Sequence, residues 1–360
     1  MKELILHGAL LLVSSGLAYS VWNKDEPQPE KQQAMVDVWG GSQASFTRLS
    51  FEGKTRKVRL EGQKDANGYY YVGVVDKEDA PDPHAGMKDP HGHDDNATGG
   101  KGPLKPPDAK EPKKETVRFV SVKAGETLVK ALTPLKAMRA VGKVDAARNE
   151  EFGLDKPEGT LKVTIDGKEH VLVIGGTTPG GSERYAKYQA NGEVFAISGD
   201  IAQSLMFGES RLPERELHGF KNDEIVRVKV SKGNKQRELM RLKEKNEGWA
   251  DLANPTKQDE TAGNWMSKLG RLRGSDFVEK PPLPLKPEDA IVRVEYYDGS
   301  KSVGFVELYK LPAEVKPDAA PSASAPKHDY LVRTEWGRWF VKVPASNAEQ
   351  VENDLASVLK

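Results

Sequence analysis

Residues 160–207 read TLKVTIDGKEHVLVIGGTTPGGSERYAKYQANGEVFAISGDIAQSLMF, and this stretch decides the fold. Apolar and polar residues alternate on both sides of Asp166-Gly167 and again around Asn191-Gly192. Both pairs predict tight β-hairpins, because a type I′ turn needs positive φ at its two central residues. Ser198 or Asp200 can then cap a short helix. The stretch therefore predicts two hairpins followed by a helix.

The same plan of strands followed by a helix returns about four times along the chain. We predict unit one at 34–145, unit two at 146–222, unit three at 223–280, a Pro-rich linker at 281–289 and unit four at 290–360. Alternating strand pairs form antiparallel sheets, and each helix would cover one face. The sequence therefore predicts an α+β fold of repeated antiparallel hairpin or strand plus helix units, arranged as two small domains of paired units.

Two of the predicted helices carry local signals at their ends. In unit one, apolar residues at helical spacing indicate a helix over 126–139, which Pro134 would kink or divide into two short helices. In unit four, Ser346 with Glu349 three residues later has the capping-box pattern. This pattern predicts that Ser346 caps the last helix.

Two stretches lack the apolar residues that a packed core needs. Residues 76–115 are dominated by Pro, Gly, Asp, Lys and His, and residues 312–327 by Pro, Ala and Ser. Such segments bury too little apolar surface to offset the entropy lost on ordering. We predict a disordered insertion at 76–115 and a flexible insertion at 312–327.

Composition excludes several classes of function. The chain of 360 residues contains 54 Lys plus Arg and 54 Asp plus Glu, so its formal net charge is zero. The balanced charge argues against nucleic-acid binding, which needs a basic face that displaces counterions. No cysteine is present, and this excludes thiol catalysis, cysteine-based zinc sites, iron–sulfur clusters and disulfides.

The N-terminus carries an apolar run at 4–22. As a helix this run would extend roughly 28 Å, about the thickness of one hydrocarbon core. We predict a transmembrane anchor at 1–22, followed by a polar tether at 23–33. The alternatives are a cleaved signal peptide, with a small-x-small site at Gly16-Leu17-Ala18, and a buried core helix. An anchor or a signal peptide would place the rest of the chain outside the cytoplasm.

Six residues of the first insertion have side chains that bind divalent metals: His84, Asp89, His91, His93, Asp94 and Asp95. Imidazole and carboxylate groups are suitable ligands for transition metals. A functional site also needs surrounding side chains that hold its ligands in place, and no apolar support surrounds this segment. We therefore predict no metal site, and no cofactor of another kind.

Two further motifs come close to catalytic or phosphate-binding patterns without matching them. The Gly-rich residues 175–181 lack the Gly-Lys-Ser/Thr ending of a P-loop, so we interpret them as a mobile connection between strands. Residues 207–211, which contain Ser210, do not make the Gly-x-Ser-x-Gly pattern of a nucleophile elbow. We predict no catalytic residues and no enzymatic activity.

The remaining histidines, carboxylate pairs and tryptophans have structural interpretations. His170 lies on a predicted strand as a surface or half-buried residue, and His218 lies in a connection. The carboxylate pairs at 223–224 and 259–260 precede a strand and a helix, and the second pair suits a helix N-terminus. Tryptophans are commonly packed in cores or on sheet faces, and this interpretation covers Trp249, Trp265, Trp336 and Trp339.

Several motifs occur together with the N-terminal apolar segment. They are Phe152-Gly153-Leu154, Leu172-Val173-Ile174-Gly175-Gly176, Arg184-Tyr185, Val194-Phe195-Ala196-Ile197, and Gly248-Trp249 followed by a helix at 265–277. This combination resembles the uncharacterised domain-of-unknown-function family numbered 4340, best over about 150–278. The resemblance implies a bacterial envelope protein associated with ABC-type export or gliding-motility-like systems. It implies no catalytic residues.

These observations lead to one expected function and one alternative. We expect a membrane-anchored, non-enzymatic, protein-binding subunit, single-pass in the bacterial inner membrane with the bulk of the chain in the periplasm. The resemblance implies that its partners are an ABC permease or ATPase, or a gliding-like auxiliary protein. Exposed sheet edges and aromatic faces would provide the docking surfaces. The alternative is a periplasmic module that binds glycan or a small ligand on Trp and Tyr side chains.

Overall fold

The computed structural model describes residues 35–78, 114–242, 248–313 and 327–360, together with Ser14, Ser15 and Tyr19. Two large antiparallel sheets and one two-stranded sheet account for most of these residues. Five α-helices accompany the sheets in the described ranges. The predicted α+β class with antiparallel sheets is confirmed.

The first half of the fold is residues 35–212. Its strands are β1 (Val36–Trp39), β2 (Phe46–Gly53), β3 (Arg56–Asp65), β4 (Gly68–Glu78), β5 (Lys114–Ser121), β6 (Leu135–Ala137), β7 (Arg139–Lys143), β8 (Gly159–Ile165), β9 (Lys168–Thr177), β10 (Glu183–Tyr188) and β11 (Glu193–Ser198). Its helices are α1 (Lys123–Leu132), α2 (Gly199–Met206) and α3 (Gly208–Arg211). The large sheet has the order β5-β4-β3-β2-β8-β9-β10-β11-β7, and β1 pairs with β6.

The second half of the fold is residues 221–360. Its strands are β12 (Arg227–Lys232), β13 (Lys235–Arg241), β14 (Trp249–Asp251), β15 (Asp276–Val278), β16 (Val292–Asp298), β17 (Lys301–Pro312), β18 (His328–Thr334) and β19 (Phe340–Val343). Its helices are α4 (Glu260–Leu269) and α5 (Ala345–Val358). The sheet has the order β14-β13-β12-β16-β17-β18-β19-β15.

The two halves share one topology. In each sheet, two successive groups of strands meet through their first members, β2 with β8 in the first half and β12 with β16 in the second. A strand from the segment after the first long helix then joins the far edge, so β7 pairs with β11 and β15 pairs with β19. Each half is therefore one antiparallel sheet built from two consecutive chain segments.

The hairpin at the start of 160–207 forms as its sequence predicts. Asp166 and Gly167 have φ values of 51° and 74°, and Ile165 pairs with Lys168 across the turn. The Ser198 hydroxyl accepts a hydrogen bond from the Asp200 backbone N–H at 3.3 Å and caps α2. Local turn and capping chemistry therefore determines this part of the fold.

Each half has its own apolar core on the helix-covered face of its sheet. In the first core, Phe51, Leu161 and Leu172 from the sheet pack with Leu132 of α1 and Leu205 of α2. The second core is formed by the second sheet with α4 and α5, and the Trp265 indole N–H donates to the Val351 carbonyl at 2.9 Å. Each fully buried side chain of this size contributes about 1.5–3 kcal/mol relative to exposure.

Several predicted boundaries were wrong. The helix of unit one ends at Leu132, and Leu135–Ala137 forms β6 instead of a second short helix. The residue before a proline is disfavoured in helical conformation, and the β1 partner strand satisfies the backbone that follows. The last helix begins at Ala345, and its N-cap residue is Pro344, not Ser346.

The predicted insertions are also narrower than their composition suggested. Strand β4 continues to Glu78 and β5 begins at Lys114, and these two residues pair with each other. Strand β17 likewise continues to Pro312. Backbone pairing with neighbouring strands extends the sheet into polar sequence. Residues 79–113 and 314–326 of the predicted insertions lie outside the described residues.

The described residues contain no helix that is long and apolar enough to cross a membrane. The predicted anchor at 1–22 and the tether at 23–33 lie outside the described residues, apart from Ser14, Ser15 and Tyr19.

Candidate functional site

The six histidines and aspartates of the first insertion, from His84 to Asp95, lie outside the described residues. Within the described ranges, no group of three or more His, Asp or Glu side chains is placed to hold a metal ion.

The Gly-rich stretch is a packing site, and its first two glycines do not lie in a loop. Gly175 and Gly176 belong to β9, where the connection into β8 crosses the sheet on the face opposite the helices. A Cβ on Gly175 would lie 2.3 Å from the Phe152 carbonyl oxygen, and the Gly176 N–H donates to that oxygen at 2.8 Å. The Phe152 ring meets Tyr185 edge-on at 4.8 Å. The glycines are therefore needed for close approach of two backbones.

His170 is buried, contrary to the prediction of a surface or half-buried residue. Its side chain points into the first core, where its ring stacks on Trp39 at 4.9 Å. Its Nδ1 lies 2.8 Å from the Tyr188 hydroxyl oxygen. Burial lowers the pKa of His170 below its ordinary value. These contacts give His170 a structural role in packing β9 and β10 against β1.

The open face of the second sheet, opposite α4 and α5, carries an ordered set of charged and aromatic side chains. We call this set the arginine face, and its members are Arg227, Lys229, Arg293, Glu295, Tyr297, Phe305, Glu307 and Arg333. They alternate along β12, β16, β17 and β18 with core residues that point the other way. Sheet geometry therefore places all eight side chains on one surface.

Glu307 is the centre of this network. Its side chain is fully buried, and its carboxylate accepts hydrogen bonds from Arg293 Nη1 and, at 2.8 Å, from the Tyr309 hydroxyl. Arg333 Nε lies 3.2 Å from Glu307 Oε2. A buried carboxylate needs such partners because removing its charge from water is costly. The network therefore fixes both arginines on the sheet surface.

The aromatic members of the face are stacked under the cations. The Phe305 ring lies beneath the guanidinium groups of Arg293 at 4.5 Å and Arg333 at 5.7 Å. Tyr297 lies beneath Arg227 at 4.1 Å. The two arginine side chains over Phe305 keep 31% and 35% of their surface exposed. They can therefore contact a second molecule without leaving Glu307.

A second candidate region lies where the two halves meet. The turn 335–339 between β18 and β19 reaches the turn between β3 and β4, and Arg338 forms an ion pair with Asp65 there. The Asn67 side-chain amide donates to the Glu335 carbonyl at 3.2 Å. The Trp336 indole packs on Gly219 of the segment that connects the halves. This turn therefore makes polar contacts between the two halves.

Beside that turn, an imidazole, a carboxylate and a phenol converge. His218 Nδ1 lies 3.1 Å from Glu335 Oε1, and the other carboxylate oxygen of Glu335 accepts from the Phe305 backbone N–H at 2.8 Å. Tyr296 meets the His218 ring edge-on at 4.8 Å. Burial raises the pKa of Tyr296, so its hydroxyl keeps its proton. A carboxylate partner fixes the orientation of a histidine ring in this way.

The other residues singled out from the sequence have structural roles. The Asp259 carboxylate caps α4 by accepting from the Ala262 N–H at 2.9 Å, and it pairs with Arg237. The Ser210 hydroxyl donates to the Phe207 carbonyl at 3.1 Å within a short helical segment. Glu224 accepts from the Lys221 backbone N–H at 3.1 Å.

The four tryptophans pack within the chain, as predicted. Two lie in a core, and two lie where the halves meet. Trp249 and Trp265 are buried in the second core. Trp336 packs on the segment that connects the halves, and Trp339 lies edge-on to Phe277 with the Arg118 guanidinium 6.0 Å from its ring. Each of the four indoles thus contacts side chains or backbone of this chain.

Sequence reasoning missed Glu307, Glu335 and Arg338. A usable signal existed for Glu307, because a single carboxylate stands between Val306 and Leu308 in an apolar strand, with arginines on the neighbouring strands. No comparable signal marks Arg338, whose partner Asp65 is 273 positions away.

One protein-family model matches a segment that includes parts of both halves. Residues 123–289 match the family model described as Domain of unknown function (DUF4340). This segment is a DUF4340 domain. The family resemblance seen in the sequence is thus confirmed, and the DUF4340 segment contains the Phe152–Gly175 packing site and runs from α1 to the connection before β16. No curated protein and no solved structure matches the chain.

Proposed function

We propose that this protein is a membrane-anchored periplasmic subunit that binds other envelope proteins and catalyses no reaction. The partners would be components of an ABC-type transport complex or of a motility-like complex, as the resemblance to the DUF4340 family implied. The anchor would be residues 1–22, and four strand-plus-helix units would form the folded part. The observation that carries this proposal is the arginine face of the second sheet.

The arginine face has the composition of a protein-docking surface. Arg, Tyr and Phe are enriched at the centres of protein interfaces, where rigid side chains bind at low entropic cost. Here Arg293 and Arg333 are already held by Glu307, and Tyr297 donates to Glu295 at 3.0 Å. A partner would therefore meet a flat, pre-ordered surface instead of mobile side chains.

Affinity purification from detergent-solubilised membranes tests this role. The full-length tagged chain should co-purify with envelope proteins, and Phe305→Ala and Arg227→Ala should reduce the yield of those proteins. The matched control is Arg59→Ala, because Arg59 is a strand arginine of the first sheet that also has a carboxylate partner, Asp76 at 2.7 Å. The same set of co-purified proteins from all variants would refute docking through the arginine face.

Cell fractionation tests the anchored location. The protein should sediment with inner membranes, stay there in alkaline carbonate, and be digested by added protease only after the outer membrane is opened. Recovery in the soluble periplasmic fraction with a mature N-terminus at Tyr19 would instead support a cleaved signal peptide. That result would remove the anchor from the proposal.

The alternative is a periplasmic module that binds glycan or a small ligand on Trp and Tyr side chains, and three of the tryptophans already make contacts within the chain. Trp249 and Trp265 are buried in the second core. Trp336 packs between Gly219 and the Lys123 ammonium, with the Arg338 guanidinium 5.4 Å from its ring. These three indoles are occupied by contacts within the chain and offer no free platform for a sugar ring.

A further inference from the structure

A cleft of about 330 Å³ lies where the two halves meet, between the connecting segment 216–222 and the end of α4. Lys123 of the first half contributes one wall, and Tyr296 and Leu272 of the second half contribute another. This volume is at the lower end of the range for small-molecule sites, about 300–1,000 Å³. The cleft is therefore large enough for one small ligand that touches both halves.

The inner part of the cleft, its floor, combines partly buried aromatic and apolar side chains with the polar His218 imidazole. Phe220 stacks on His218 at 4.6 Å and lies 5.1 Å from the Tyr296 ring. Leu217, which is half-buried, adds to the apolar surface. The His218 imidazole is fixed by Glu335 from below, as described above. Such a floor suits a flat apolar or aromatic body with a polar substituent.

The rim of the cleft is basic. Lys123, Lys221 and Arg273 line it with exposed side chains, and Glu216 is the acidic residue among the rim positions. The lining residues carry three positive charges and one negative charge, and the Glu335 carboxylate beside His218 brings the net charge at the cleft to +1. A cleft with low-dielectric walls concentrates the potential of such charges and attracts anions.

We propose that this cleft binds a small soluble organic anion, in which a phosphate or carboxylate group is attached to a flat apolar body. The basic rim would hold the anionic group, and Phe220 and Leu217 would cover the apolar body. Because the walls come from both halves, bound ligand would stabilise their contact. This inference does not depend on the arginine face, which lies on the other side of the second sheet.

Isothermal titration of the purified full-length protein in neutral detergent tests the proposal, with phenyl phosphate as the probe. Inorganic phosphate supplies the anion alone and phenol supplies the ring alone. Phenyl phosphate should bind at least about tenfold more tightly than either, because the two contacts act together in one molecule. No measurable binding of phenyl phosphate at millimolar concentration would refute the proposal.

Two variants separate the contributions of rim and floor. The double variant Lys221→Glu with Arg273→Glu should lower the affinity for phenyl phosphate at least about tenfold. The control double variant Arg48→Glu with Lys235→Glu changes the net charge equally at exposed positions away from the cleft and should leave affinity unchanged. Phe220→Ala should reduce the advantage of phenyl phosphate over inorganic phosphate. Equal affinities for the rim variant and its control would overturn the assignment.

If the charge reversals prevent folding, Lys221→Gln with Arg273→Gln provides a milder test. Both side chains are exposed, so this pair should retain the secondary structure of the parent by circular dichroism. At matched ionic strength, the Gln pair should still bind phenyl phosphate more weakly than the parent protein does. Parent-like affinity in this folded variant would equally overturn the proposal.

Discussion

Arg338 and Asp65 form a two-point ion pair that joins the halves of the molecule. Arg338 Nε lies 3.0 Å from Asp65 Oδ2, and Nη2 lies 3.1 Å from Oδ1. The arginine side chain is only 8% exposed and stacks on Tyr70, with the guanidinium 4.9 Å from the ring. Its backbone has a φ of 57°, a left-handed conformation that is uncommon outside glycine. The turn 335–339 therefore holds an uncommon conformation at the point of contact.

We predict that Asp65→Asn weakens the contact between the halves. Hydrogen bonding from Arg338 holds the pKa of Asp65 below its ordinary value of 3.8. The native state therefore gains stability above that value, and the gain is lost as pH falls through the lowered pKa. We expect the free energy of unfolding at pH 7 to fall by about 1 kcal/mol, since Asp65 is partly exposed.

Differential scanning calorimetry at pH 7 measures this change. Glu61→Gln on the same strand is the control, because Glu61 is exposed on the polar face of β3. A loosened contact should also make the connection 212–222 more sensitive to limited proteolysis. Identical melting and digestion of Asp65→Asn and Glu61→Gln would contradict the role given to the pair.

His170 should make the stability of the first half depend on pH. Burial lowers the pKa of His170 below its ordinary value of 6.5. A group whose pKa is lowered in the native state contributes stability above its unfolded pKa, and this contribution is lost as pH falls through the folded value. We therefore expect the melting temperature to fall as pH drops below 6.5. In His170→Gln, the fall over this interval should be smaller than in the parent protein, and an equal fall would show that other groups cause it.

Gly175→Ala should destabilise the first half because its Cβ would lie 2.3 Å from the Phe152 carbonyl oxygen. Relieving such an overlap requires the crossing segment or β9 to move, at a cost of about 2 kcal/mol. Gly40→Ala is the control, since a Cβ there meets no atom within 4 Å and the backbone φ is not left-handed. Chemical denaturation measures both variants. Equal midpoints would contradict the packing role of Gly175.

Sequence reasoning succeeded where the signal was local. The Asp166-Gly167 turn and the Ser198 cap need only their immediate neighbours, and both are present. It failed where distant segments decide the outcome. Strand β6 pairs with β1 about 100 positions earlier, and this pairing converts a predicted helix into a strand. Gly175 was taken for a loop residue because the crossing segment that packs on it is not visible in its own neighbourhood.

The candidate sites were less predictable than the fold for the same reason. Arg293, Glu307 and Arg333 come from three strands, so only the register of the sheet brings them together. His218 and Glu335 are 117 positions apart and meet through the packing of the connecting segment on the second half. Residue types marked Glu307 as an unusual carboxylate in an apolar strand, but they gave no reason to join His218 with Glu335.

The last prediction concerns Glu307, whose carboxylate is the negative centre of the arginine face. Glu307→Gln keeps the size of the side chain but leaves Arg293 and Arg333 facing a neutral group. Removing one partner of a buried ion pair costs about 3 kcal/mol, because the remaining charges lose their compensation. Glu295→Gln is the control, since Glu295 is 28% exposed and should cost less than about 1 kcal/mol. Urea denaturation followed by tryptophan fluorescence measures both. Because Trp249 and Trp265 lie in the second core, the loss should appear in their transition, and a midpoint equal to that of Glu295→Gln would show that Glu307 does not organise this face.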